Sequence, residues 1–225
     1  NMSYHMVFTG SPGTGKTTVA RLVAQIYKEL GILSQGTLTE TDRSGLVAGY
    51  VGQTAIKVKE VVERAMGGVL FIDEAYALAP ENAANDFGGE AIDTLVKLME
   101  DHRDDLVIIV AGYTEEMKRF LKANTGLQSR FNKFIAFNDY SKDELLAILE
   151  SIAAEAGFCL TDGAKERVDE MLSTMTDEEW RNFGNARGIR NLFERMVSMQ
   201  ANRIIGYASQ SIKDITVITE EDVPE

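Results

Sequence analysis

The chain has 225 residues and 24.8 kDa, room for one large domain or two small ones. It is 44% apolar and 26% charged, and no apolar run of about 18 residues occurs, which excludes a membrane-spanning helix. A single cysteine, Cys159, excludes an internal disulfide. Together with only two histidines it excludes a zinc site of the usual kind. No basic start leads into an apolar stretch as in a signal peptide, so a reducing cytoplasm is the expected setting. Lys and Arg number 23 against 35 Asp and Glu, and the net charge of -12 excludes generic attraction to nucleic acid or to an anionic membrane.

In chain order, residues 4–9 form a short apolar run of the kind buried in a parallel sheet. Val19, Leu22, Val23, Ile26 and Leu30 then share one helical face. A short extended candidate follows at 37–40, and then a helix with Ala55, Val58, Val62 and Ala65 on one side. Residues 68–73 are a second strong strand, followed by a helix carrying Ile92, Leu95, Val96 and Met99. Residues 106–111 are a third strand and 134–137 a shorter one. This alternation predicts a doubly wound α/β sheet. After Phe137 the pattern turns helical. Ser141 with Glu144 three residues on is a capping box ahead of Leu145, Ile148, Leu149, Ile152 and Ala156. Another helix is expected from about Thr161. A long one is expected from about Ala186, carrying Ile189, Leu192, Phe193, Met196 and Ile204, and 215–218 is one possible extended stretch. Net charge changes at the same point, from -3 over 1–138 (14 basic, 17 acidic) to -9 over 139–225 (9 basic, 18 acidic). Two domains are expected, an α/β domain over 1–139 and a helical one over 140–225.

Gly10-Ser11-Pro12-Gly13-Thr14-Gly15-Lys16-Thr17 fits G-x-x-x-x-G-K-[ST] between a predicted strand and a predicted helix. Glycines allow successive backbone N–H groups to curl around a β-phosphate, and the helix start adds partial positive charge. Lys16 is placed to reach the β- and γ-oxygens. The Thr17 hydroxyl is placed to ligate Mg²⁺, with Thr18 beside it in the first turn. The strand at 68–73 ends in Asp73-Glu74. If it lies next to the first strand, Asp73 comes near Thr17 and the metal, and Glu74 is placed to polarise a water for attack on the γ-phosphorus. A guanine-specific Asn-Lys-x-Asp is missing, because Ile135 follows Asn132-Lys133 where Asp is required, so the expected base is adenine. A nucleotide kinase is the rival reading. It calls for Asp-Gly-[Phe/Tyr]-Pro-Arg, which Asp162-Gly163-Ala164-Lys165 does not match.

Beyond these motifs, 5–10, Gly49-Tyr50-Val51-Gly52-Gln53-Thr54, 67–76, 103–106 and Ala111-Gly112-Tyr113 resemble the AAA+ ATPases. Within them they resemble the group of stage V sporulation protein K and the red-type rubisco activase CbbX, with the sporulation type the nearer. The resemblance spans nearly the whole chain and is most specific over 5–140. It implies a P-loop NTPase fold with a parallel sheet, helices on both faces and a small helical lid. It also implies ATP hydrolysis with Mg²⁺, a homo-hexameric ring and a protein client.

The same resemblance places an arginine finger at Arg130, in Gly126-Leu127-Gln128-Ser129-Arg130-Phe131, pointing into the ATP site of a neighbouring subunit. It places a sensor-2 arginine at Arg187, in Gly184-Asn185-Ala186-Arg187, contacting the γ-phosphate from the lid, with Arg190 a weaker candidate. Tyr50 and Val51 fall in the loop that lines a central pore in many relatives, and 80–89 is either a second pore loop or a connection. Two departures stand out. The sensor-1 position, polar in the family, falls at Gly112-Tyr113-Thr114, with Tyr113 and Thr114 both candidates. Only nine residues precede the P-loop, so the segment that closes over adenine in relatives is not in this sequence, which predicts a weakened hold on nucleotide. His5 and His102 read as structural, Cys159 as a non-nucleophile in an apolar setting, and Trp180 as a lid anchor. Two functions stay open: a remodeller that pulls on a protein, and an ATP-dependent switch or scaffold that threads nothing.

Overall fold

The structure is a computed structural model describing residues 3–50, 52–80, 86–205 and 215–224. Contacts divide the chain into two compact units. One comprises Asn1–Gly10 and Gly15–Phe137, the other Ser11–Thr14 and Asn138–Glu225.

The first unit runs β1 (Met6–Gly10), α1 (Lys16–Glu29), β2 (Leu38–Thr41), α2 (Arg43–Leu46), α3 (Thr54–Ala65), β3 (Val69–Ile72), a 3₁₀ turn (Ala75–Leu78), α4 (Gly88–Asp101), β4 (Val107–Gly112), α5 (Thr114–Ala123), α6 (Thr125–Arg130) and β5 (Lys133–Phe137). The sheet is parallel, in the order β2-β3-β4-β1-β5. β3 and β4 are buried along their whole length, as their unbroken apolar runs require when both sheet faces are covered. Val7, Leu70, Ile72, Ile108 and Val110 point to the face covered by α3, α4, α5 and α6. Their alternates, Met6, Phe8, Val69, Phe71, Val107, Ile109 and Ala111, meet α1.

Three expectations change here. The third strand, β4, lies between β1 and β3, so the strand ending in Asp73-Glu74 is not the neighbour of β1. Helix α1 does not bury its bulky stripe. Ala20 and Ala24 are the buried positions, with Val19, Val23 and Tyr27 beside them, whereas Leu22, Ile26 and Leu30 are 51, 53 and 67% exposed. The helix issues directly from the glycine loop, which sets its rotation about its axis, and alanines let it approach the sheet closely. Gly88 and Gly89, read as loop, begin α4.

The second unit contains α7 (Lys142–Glu155), β6 (Cys159–Leu160), α8 (Asp162–Thr174), α9 (Asp177–Phe183), α10 (Ala186–Ile205) and β7 (Val217–Ile218). The capping box at Ser141 and Glu144 forms as expected, and Thr176 with Glu179 makes another for α9, which the sequence reading passed over. Leu145, Leu149, Val168, Leu172, Ile189, Leu192, Phe193 and Met196 form the core, and Trp180 packs on its margin. Strands do not stop at Phe137: β6 pairs in parallel with β7. Cys159 lies on β6 and is exposed, contrary to the apolar setting expected for it. Arg203 holds the buried Asp222 carboxylate through two hydrogen bonds of 2.8 Å, which ties α10 to the chain after β7. Among the described residues, no helix is long and apolar enough to cross a membrane.

Candidate functional site

The loop between β1 and α1 is held by its carbonyls. The Gly10 carbonyl accepts from Lys16 Nζ at 2.8 Å and the Ser11 carbonyl from Thr14 Oγ1 at 2.8 Å. The Pro12 carbonyl accepts from Asn185 Nδ2 at 3.3 Å and the Gly13 carbonyl from the Ala186 N–H at 3.1 Å. The Thr14 carbonyl accepts from Tyr140 Oη at 3.2 Å and the Gly15 carbonyl from the Val19 N–H at 2.9 Å. A peptide's N–H and C=O point in opposite directions, so a loop anchored through its carbonyls turns its N–H groups to the other side, the arrangement of an anion nest. Space enforces the glycines. A Cβ on Gly10 would lie 2.2 Å from the Phe137 carbonyl oxygen, and one on Gly13 (φ +74°) 2.2 Å from that of Gly184. By residue type the loop suits a nucleotide's phosphates, with glycines at 10, 13 and 15 followed by Lys16, Thr17 and Thr18 in the first turn of α1.

Because the sheet is parallel, the carboxyl ends of β1, β4 and β3 reach the same edge. Gly10 pairs beside Gly112 through the Thr9–Gly112 register, and β4 continues the ladder to β3. That edge therefore gathers Gly10, Lys16 and Thr17 from β1–α1, Tyr113 and Thr114 from the end of β4, and Asp73 and Glu74 from the end of β3. The two sensor-1 candidates thus follow the strand that separates the loop from the acid pair. Asp73 and Glu74 are both exposed, and the Glu74 N–H donates to Asp73 Oδ1 at 3.0 Å. Glu74 has φ +47°, a left-handed backbone rare outside glycine and of the sort that clusters at functional sites. Tyr76 and Tyr113 face each other with ring centroids 6.3 Å apart. Burial pushes the Tyr76 phenol up, and the nearby Glu74 charge adds to this.

Arg130 is not at this edge. It ends α6, three residues before β5 begins, and Lys133 pairs with Met6 at the start of β1 whereas Phe137 pairs with Gly10 at its end. One strand length of about 16 Å therefore separates it from the phosphate loop of its own chain. Its guanidinium folds back. It donates to the Gly126 carbonyl at 3.1 Å and lies 3.6 Å from a Glu100 carboxylate oxygen, and its buried Nε has no hydrogen-bond partner. Arg187 is the second residue of α10 and exposed, and its backbone N would lie 3.0 Å from a Cβ on Gly13. Arg190, one turn on, is also exposed. Tyr50 is 73% exposed between α2 and α3, next to open space at Gly49 and Gly52. Val51 and 81–85 lie outside the described residues.

Sequence reasoning missed Asn185 and Tyr140, which hold the loop, and Arg43, which donates to the Ala77 carbonyl at 2.6 Å and pairs with Asp86. The hydrogen bonds and charge of Arg43 hold the Asp86 carboxyl below its usual range. A signal for Asn185 was present: after Gly184, it is the residue type best able to continue in the left-handed region.

Residues 6–139 match the family described as "ATPase family associated with various cellular activities (AAA)", and 141–225 match its "AAA lid domain". The chain is 45% identical to "Protein CfxQ homolog" of Galdieria sulphuraria over 99% of its length and 73% of that protein's. It is 42% identical to "Stage V sporulation protein K" of Bacillus subtilis, over 97% of this chain and 68% of that one. It is 44% identical to "Ribulose bisphosphate carboxylase/oxygenase activase, chloroplastic" of Cyanidioschyzon merolae, over 99% and 76%. These identities do not separate the sporulation type from the activase type. In fold, it superposes on the FIGL-1 AAA domain with a TM-score of 0.64 at 21% identity, over 98% of this chain and 68% of the other. The Thermotoga maritima RuvB K64R structure gives 0.63 at 21% identity, over 97% and 59%. A parallel sheet whose carboxyl edge gathers a carbonyl-anchored glycine loop and an acid pair, beside relatives of this closeness, places the chain in the AAA family of ATPases.

Proposed function

We propose that this chain is the ATP-hydrolysing module of a ring-forming ATPase that remodels a protein client, with 1–139 as the nucleotide-binding domain and 140–225 as the lid. In this reading Gly10, Pro12, Gly13, Thr14, Gly15, Lys16, Thr17 and Thr18 wrap the phosphates. Lys16 exchanges the Gly10 carbonyl for phosphate oxygens, so its charge moves onto the β–γ bridge. Glu74 takes the proton of the attacking water, held in place by its fixed left-handed backbone. Mg²⁺ would be held by the Thr17 hydroxyl and the Asp73 carboxylate, and when bound it neutralises charge on the phosphates. Arg187 serves the site of its own chain.

The observation that carries the ring is the placement of Arg130. At the amino edge of the sheet it cannot reach its own loop, so an arginine finger there acts on a neighbour. Its pairing with Glu100 is then the resting position of a finger without a neighbour. Sedimentation with ATP tests this: a strict monomer turning over at full rate contradicts the reading, and a hexamer fits it. Exposed Tyr50, flanked by glycines, supports a client-gripping loop shared with Val51. The activase named among the relatives supports a protein as client. A Glu74→Gln chain, loaded with ATP, is the bait with which to capture that client. Tyr50→Ala should keep ATP turnover and lose client action. Retention of both would favour an assembly switch that threads nothing.

A further inference from the structure

Asn185 and Glu74 are the non-glycine residues with left-handed backbone among the described residues. A proposed role in water activation accounts for Glu74, whereas Asn185 is left over by the ATPase reading. Its backbone, at φ +55°, sits at the entry to α10, and its side-chain amide makes three hydrogen bonds. Oδ1 accepts from the Tyr140 N–H at 2.9 Å. Nδ2 donates to Asp139 Oδ1 at 3.0 Å and to the Pro12 carbonyl at 3.3 Å. The next residue, Ala186, donates its N–H to the Gly13 carbonyl, and the Tyr140 phenol donates to the Thr14 carbonyl. Three successive loop carbonyls thus end on two short segments, Asp139–Tyr140 at the start of the helical unit and Asn185–Ala186 at the start of α10. One Asn side chain ties those two segments together.

We propose that Asn185, with Tyr140, is a positioning residue for nucleotide binding: it presets the phosphate loop by holding the Pro12 and Thr14 carbonyls away from the side that receives phosphate. This rests on the reading of Gly10–Thr17 as the phosphate loop. A peptide unit free to flip presents a carbonyl oxygen as often as an N–H, and a carbonyl turned towards phosphate repels it. Anchoring the carbonyls removes that loss before the ligand arrives, which is preorganisation. Asparagine suits the position on two counts. It tolerates φ near +55° better than other non-glycine residues, and its amide both accepts and donates. Loss of the side chain leaves the chemistry untouched and weakens ground-state binding, so KM for ATP rises and kcat stays.

The test is titration of the chain with a fluorescent ADP analogue and Mg²⁺, alongside steady-state ATP hydrolysis and thermal melting. Asn185→Gly keeps the backbone conformation and removes the three side-chain hydrogen bonds. It should weaken ADP binding about three- to tenfold, the worth of a hydrogen bond or two, and raise KM equally with kcat within about twofold. The double variant Asn185→Asp with Asp139→Asn restores the tie between the two segments: the new carboxylate accepts from the Tyr140 N–H and from the new amide, but it cannot donate to Pro12. It should bind as weakly as Asn185→Gly while melting like the parent. ADP binding within about 1.5-fold of the parent in either variant overturns the proposal, as does a lowered melting temperature with unchanged affinity. If both Asn185 variants fail to fold, Tyr140→Phe decides, with about two- to threefold weaker binding expected and unchanged binding fatal. Lys16→Ala separates the two readings. If the parent binds ADP, Lys16→Ala does not and the Asn185 variants match the parent, only this inference falls. If the parent itself fails to bind, the phosphate-loop reading falls and takes this one with it.

Discussion

In the proposed site Lys16 holds the nucleotide and Glu74 reacts, so their variants should fail differently. Lys16→Ala removes the one cationic side chain in the loop and should abolish nucleotide binding, measured by titration with ADP. Glu74→Gln keeps shape and hydrogen bonding but removes the base. It should bind ATP with Mg²⁺ at parental affinity and turn over about 10²- to 10⁴-fold more slowly. Turnover at the parental rate would remove Glu74 from the chemistry. The loop and the acid pair were legible in the sequence because their chemistry is local, with spacing and neighbouring elements in one stretch of chain. Asn185 was not. Its partners Pro12 and Tyr140 lie 173 and 45 residues away, and nothing in its own stretch names them.

At the scale of elements, what periodicity shows is whether a helix or strand exists. Which strand lies beside which is settled elsewhere. The apolar runs of β3 and β4 are indistinguishable in kind, so the insertion of β4 between β1 and β3 could not be read from them. Rotation of α1 escaped the pattern for a related reason, since the loop dictates it and the stripe Leu22–Ile26–Leu30 is left outside. His5 shows what burial beside the strands does to a titrating group. It is 5% exposed, its Nδ1 accepts from the Ile108 N–H at 2.9 Å, and its ring lies 6.0 Å from that of Phe131. Burial first, then the charges of Arg130 and Lys133, push it down to about 4 from an ordinary 6.5. The unfolded chain therefore binds the extra proton between these values, and stability rises with pH across that window. The contribution is complete above pH 6.5 and is lost as pH falls towards 4, amounting to roughly 3 kcal/mol at the acid end. Denaturant melts from pH 4.5 to 7 should show this slope. His5→Asn, whose amide oxygen can accept from Ile108, should be less stable at pH 7 and flatter below it. Equal slopes in the two chains would assign the acid sensitivity elsewhere.

At the scale of the whole molecule, the proposed roles assign the two arginines to different chains. Arg130 stands at the amino edge of its sheet, away from its own loop, and Arg187 stands on the helix whose first residues hold that loop. If Arg130 acts on a neighbour, an Arg130→Ala subunit retains a sound phosphate loop and lacks only what it would lend. A Lys16→Ala subunit has the opposite defect. Each variant alone should be inactive. Mixed, they form rings in which an intact loop meets an intact finger at about a quarter of the junctions, so activity should return to that order. Arg187→Ala mixed with Lys16→Ala should restore nothing, because every subunit then carries a defect in its own site and no neighbour can mend it. The measurement is ATP turnover against mixing ratio, after incubation long enough for subunits to exchange. A maximum at equal parts for the first pair and a flat line for the second assigns Arg130 in trans and Arg187 in cis. Rescue in both mixtures, or in neither, would mean that the arginines are not divided between chains, and the case for a neighbour-dependent site would then rest on sedimentation alone.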